Sequence, residues 1–257
     1  MNPSRVIARM VLKEIFRKKD FYVALILMAA ILFYASQMHF YDVSKITRYL
    51  MELGLLLIFL FSVILTVSLA ARQYPSEIQS RTAYVLLARP VSRFQFILGK
   101  FWGSLLAGCA SFTIFYILFL VLVTAKAGAL PPLVLAAQAY YLFLLCLMTV
   151  AAMASAFSYF LTVSANVTLS ITLYVLISTY GAGLKKASEP LFWLSRGIGE
   201  GLYYLLPHFE FFDLRQRFIH EWPPLSAGLL LLLTFYALAY TAFFLVLSRK
   251  ILEKRAL

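Results

Sequence analysis

Five side chains able to hold a metal ion or carry a proton fall in one late stretch, His208, Glu210, Asp213, His220 and Glu221. A closed metal site needs several such ligands at short fixed spacings, and this series fits no such motif. Cys109 and Cys146 stand apart, each inside an apolar run, so neither a disulfide framework nor a cysteine-based metal site is expected. A phosphate-cradling loop needs Gly, four residues, Gly, Lys and then Ser or Thr; Gly99-Lys100 is followed by Phe101 and lacks the earlier Gly. No paired carboxylates, and no nucleophile beside a base, fall at a plausible depth. The residues therefore do not point to an enzyme, and no cofactor is expected to bind this chain.

The elements that would position these groups are set by hydropathy. Of 257 residues 63% are hydrophobic and only 13% charged, which places the chain among integral membrane proteins. A bilayer core about 30 Å thick takes about 20 mostly apolar helical residues per crossing. Six segments meet that need: 21–40, 51–71, 96–124, 132–161, 165–182 and 225–248. The fifth carries Ser164, Asn166, Thr168, Ser170, Thr172, Ser178 and Thr179 in or beside it, which suits the interior of a bundle better than lipid. The expected fold is an all-α integral membrane protein of six transmembrane helices, with the single domain covering 1–257.

Charge orients it. The N-terminal segment, the stretch 72–100 and the C-terminus hold fifteen of the 23 Lys and Arg residues, so these parts are expected on the cytoplasmic side. No basic patch sits on a soluble module, so nucleic acid is not an expected partner. In residues 1–20, Val6, Ile7, Met10, Val11, Leu12, Ile15 and Phe16 recur at helical spacing while Arg5, Arg9, Lys13 and Arg17 repeat every fourth position. That pattern predicts an amphipathic helix in the cytoplasmic membrane interface, retained rather than cleaved as a signal peptide. The remaining large segment, 183–224, is rich in aromatic residues and balanced in charge, and is expected to form short helices at the outer interface.

The segment 73–95 between spans two and three has local signals of its own. Ser76 with Gln79 has the form of a capping box, predicting a helix from about Glu77. Pro90 disfavours helical geometry at Arg89, so that helix should stop near Ala88. Ser92 with Gln95 repeats the box and should start the helix of span three. Glu77, Thr82, Tyr84 to Leu87, Pro90, Val91, Ser92, Arg93, Gly99 and Lys100 together resemble the permease subunits of ABC-2 type exporters, as does "YYLLPHFEFFDLRQRF" before the last span. Family members often carry Gly where this chain has Arg81.

The resemblance implies a cytoplasmic coupling helix in 73–95 that docks on a separate ABC ATPase through Glu77, Arg81, Thr82, Arg89, Pro90 and Arg93. ATP and Mg would then be bound by that nucleotide-binding subunit. A second copy of the permease would complete a homodimeric pathway in the cell inner membrane. Gly99, Gly103 and Gly108 along span three are small residues suited to a dimer or intrachain helix contact. Pro207, His208, Phe209, Phe211, Phe212 and Asp213 are candidates for an extracytoplasmic gate or a docking surface for an accessory protein. The alternatives are a secondary transporter or channel, which would need charges or broken helices at midplane, and a membrane scaffold protein without an ATPase partner.

Overall fold

The computed structural model describes residues 3–17, 19–37, 43–79, 92–127, 131–188 and 206–254. Among them the regular structure is entirely helical: α1 (Pro3–Arg17), α2 (Lys19–Gln37), α3 (Val43–Gln79), α4 (Arg93–Ala127), α5 (Leu133–Phe157), α6 (Val163–Ser188), a 3₁₀ turn (Phe209–Phe212), α7 (Arg215–Ile219) and α8 (Ala227–Lys254). Four stretches are long and apolar enough to cross a membrane, Met51–Pro75 in α3, Arg93–Lys126 in α4, Leu133–Phe157 in α5 and Ala227–Glu253 in α8. The apolar part of α6, Val163–Thr179, is shorter. α2 and α6 are where the sequence places spans one and five.

The core forms where α3, α4 and α5 meet, with α8 against α5. Small side chains make the approach close: Ala151, Ala152, Ala154 and Ala156 of α5 are fully buried. Above them Phe59 of α3 stacks on Phe143 of α5 at 3.8 Å, and Phe112 of α4 meets the same ring at 4.6 Å. Offset and tilted rings of this kind add to the area they bury. The polar residues of α6 divide by face. Asn166 and Ser170 are fully buried; Asn166 donates to the Ala154 carbonyl (2.9 Å) and Ser170 to Asn166 Oδ1 (3.0 Å).

α4 opens as its sequence predicts. The Ser92 backbone N–H donates to Gln95 Oε1 (3.1 Å) and the Gln95 N–H to Ser92 Oγ (3.2 Å), satisfying two otherwise orphaned donors reciprocally. The similar pair Ser76 and Gln79 begins no helix, because α3 runs unbroken through Pro75 to Gln79. A capping box has nothing to cap where the preceding turn is already helical. The predicted helix end near Ala88 lies outside the described residues.

The N-terminal helix has a protein partner along its apolar stripe. Ile7, Val11 and Ile15, its apolar stripe, are buried, and α1 packs lengthwise on α4. Gly99 and Gly103 receive it: a Cβ built on Gly99 would stand 2.6 Å from Ile7 Cβ, and one on Gly103 2.5 Å from Val11 Cβ. Protein covers this stripe, because the two glycines remove the atoms that would hold the helices apart. The glycine pair thus makes an intrachain contact. Gly108 does the same against Thr66 of α3.

The ends of the elements sort spatially. Arg93 donates from Nη1 to the Leu252 carbonyl (3.0 Å), so the start of α4 touches the end of α8. The first turn of α1 lies against Gly99, and Tyr74 near the end of α3 meets Tyr159 just after α5 at 4.4 Å. The N-terminal helix, the C-terminus and both flanks of 80–91 therefore collect at one end of the bundle.

Candidate functional site: a segment folded back into the bundle

Residues 206–226 begin deep between the helices and run outward to the end of the bundle where α8 begins. Their partners lie well along the helices. Tyr240 donates to the Leu206 carbonyl (3.3 Å), and the His208 backbone N–H donates to the Tyr236 hydroxyl (2.8 Å), nine residues into α8. The same hydroxyl shares a second hydrogen bond with His208 Nδ1 at 3.1 Å. Phe209 packs on Tyr174, 5.4 Å between ring centres.

Depth follows from counting. Tyr174 lies eleven residues beyond the first of α6, and Cys146 eleven before the last of α5, helices joined by the short turn 158–162. At 1.5 Å per residue both stand about 16 Å from that turn, near the middle of α5. Asp213 is within electrostatic reach of both. The segment therefore tucks between helices instead of lying across their ends as the sequence reading has it. Irregular backbone is sustained at such depth only where protein or internal water satisfies it.

The most polar feature there is an ion pair. Asp213 Oδ1 accepts from the Arg215 backbone N–H at 2.9 Å, a local turn, and from its Nε at 2.9 Å. Oδ2 accepts from Nη2 at 2.6 Å, which completes a forked contact. The guanidinium also lies 5.9 Å from the Phe59 ring centre, a cation–π placement over the α3 face of the aromatic core. Each side chain of the pair keeps about a quarter of its surface exposed, 27% for Asp213 and 26% for Arg215. The pair is thus anchored in the bundle and open on one side. Beside it a cleft of about 300 Å³ is lined by Phe211, Asp213, Arg217 and leucines of α8.

Two further contacts hold the segment. Gln138 of α5 donates from Nε2 to the Leu225 carbonyl (3.0 Å) and accepts the Leu225 N–H on Oε1 (2.9 Å). Phe218 is buried against Phe119 of α4, with ring centres 6.3 Å apart.

Of the candidate gate residues, Pro207, His208, Phe209 and Phe212 are buried, Asp213 is half-buried, and Phe211 is exposed and stacked on His208 at 5.2 Å. They do come together. His220 and Glu221 lie exposed beyond α7, and among the described residues no three His, Cys, Asp or Glu side chains gather as a metal site requires. Of the coupling residues, Glu77 lies in the last turn of α3, Arg93 binds the end of α8, and Arg81, Thr82, Arg89 and Pro90 lie outside the described residues. Sequence reasoning singled out neither Arg215 nor its ring partner Phe59, nor Gln138 and Tyr236. The signal available was Asp213 and Arg215 two residues apart in an aromatic stretch, a spacing that lets a turn pair them. No protein-family model matches the chain, and no curated protein matches it.

Proposed function

We propose that the chain is the permease subunit of an ATP-driven ABC exporter of the ABC-2 type. Six membrane spans, α2 to α6 and α8, form half of a pathway that a second copy completes, and a separate ATPase supplies the energy. The observation that carries this reading is the gathering of the basic α1, the basic C-terminus and both flanks of 80–91 at one end of the bundle. Positive charge held on one side makes that end cytoplasmic. The described flanks of the proposed coupling segment 73–95 stand at that end, which suits docking by a soluble ATPase, and Arg93 ties its second flank to the last helix.

The exposed face of α6 supports the second copy. Ser164, Thr168, Thr172 and Thr179 lie outward, and hydroxyls suit a helix contact or a water-lined route better than lipid. Mid-bundle placement of 206–219 suits a gate, because a short segment held by few polar bonds moves more readily than a whole span.

The Asp213–Arg215 pair favours a second reading. Charged residues deep in a helical bundle often mark ion or proton paths, and a secondary transporter would use them. Purification of the tagged chain from its native membranes separates the two. The exporter reading expects an ATPase to co-purify and its hydrolysis to fall when Arg81 is reversed to Glu. Transport that runs on an ion gradient in vesicles without ATP would overturn it.

A further inference from the structure

α1 and α4 leave a groove of about 650 Å³ along one side of their seam. Ile7 pairs with Gly99 and Val11 with Gly103, so the helices run in the same direction in a constant register of 92 residues. This register sets the level of each lining group. Arg5 stands level with position 97 and Arg9 with position 101, and Gln95 closes the same end. Leu98 and Trp102 form the facing wall at the level of the two arginines, and Leu12 and Leu106 continue it toward the middle of the bundle. Trp102 and Leu106 are each 45% exposed.

The groove therefore sets two cations of α1 against an apolar wall of α4 at the end where the basic termini collect, and is purely apolar beyond them. Arg5 and Arg9 are exposed one turn apart, on the same face of α1, and no carboxylate pairs with either among the described residues. Two guanidinium groups in that relation match the oxygens of one phosphate. A free anion would match the two cations and leave the exposed Trp and Leu wall without a partner in the groove. An uncharged lipid would leave the two cations unmatched.

We propose that this groove binds one anionic glycerophospholipid, with its phosphate on Arg5 and Arg9 and an acyl chain along Leu98, Trp102 and Leu106. Basic pockets between helices at a membrane face recognise such headgroups, and an interfacial Trp anchors the junction with the acyl region. The site requires only that α4 sit in a membrane, so it stands or falls apart from the exporter reading.

The test uses the full-length protein in detergent, offered phosphatidylglycerol and phosphatidylcholine of identical chains and weighed by native mass spectrometry. One phosphatidylglycerol should be retained in preference on the order of tenfold. R5Q/R9Q should abolish the preference, and R5K/R9K should keep part of it. Millimolar inorganic phosphate should not displace the lipid; displacement would mean that an anion alone fills the site and would overturn the acyl half of the proposal. Phosphatidylglycerol with brominated chains should quench the fluorescence of the unmutated protein, and Trp102→Phe should remove most of that quenching. Equal retention of the two lipids, a preference that survives R5Q/R9Q, or quenching unchanged in Trp102→Phe would each overturn it.

Discussion

The seam between α1 and α4 and the segment folded in before α8 are both places where an unusual element is held against long apolar helices, and they are held by opposite means. At the seam, the missing side chains of Gly99 and Gly103 admit Ile7 and Val11, and contact is made by shape. In the inward segment, Asp213, Arg215, His208, Tyr236 and Gln138 satisfy one another and the backbone directionally. Shape contacts tolerate small shifts and fail by overpacking. Directional contacts in apolar surroundings fail when one partner is lost, because the other is then left buried and unmatched.

The largest effect should follow from Asp213→Ala, which leaves the Arg215 charge without its carboxylate. Breaking such a pair costs about 3 kcal/mol here, toward the low end for buried pairs because a quarter of each side chain is exposed, 27% and 26%. Thermal unfolding in detergent should show the loss, and the double variant D213A/R215A should recover more than half of it. A double variant as unstable as the single one would mean that the pair is not what holds the segment.

Next comes Gly103→Val, which drives new atoms into the 2.5 Å separation from Val11. Overpacking of this kind costs about 2 kcal/mol. Labelling of a cysteine at position 7, in a background without Cys109 and Cys146, should speed up as α1 lifts from α4. Pairing Gly103→Ala with Val11→Gly, which moves the missing Cβ to the other helix, should restore slow labelling; unchanged labelling in Gly103→Val would place the apolar stripe of α1 elsewhere.

The smallest effect tests a directional contact at the seam's own end of the molecule. Ser92→Ala removes one half of the capping box and should cost about 1 kcal/mol, a fall in Tm of roughly 3 °C for a chain of this size. Gln95→Ala should add little once Ser92 is gone. Additive losses would show that the two bonds are independent and not a reciprocal pair.

Particular residues show what the sequence could and could not disclose. Ser92 and Gln95 could be read because their box follows Pro90, and a chain that must leave the helix has donors to cap when it re-enters. Ser76 and Gln79 have the same spelling, yet the long apolar helix α3 carries through Pro75, and that tertiary preference decides. Gly99 and Gly103 disclosed a close approach but not the partner, since a glycine seam looks the same from a second copy and from the chain's own first helix. The depth of Asp213 and Arg215 was hidden for another reason. Hydropathy averaged over a span-length window sees a polar, aromatic stretch and assigns it to the surface, while the burial depends on tyrosines of α6 and α8 that are distant in sequence.

The constant offset of 92 residues between α1 and α4 also sets an order of events during synthesis. The apolar stripe of α1 leaves the ribosome long before Gly99 and Gly103 exist. At about 5–20 residues per second, it waits roughly 5–20 s for its seat. Throughout that interval Ile7, Val11 and Ile15 lack the seat that buries them in the finished fold. The seam is thus a contact between the first helix made and one made much later, closed only after α2 and α3 have been synthesised.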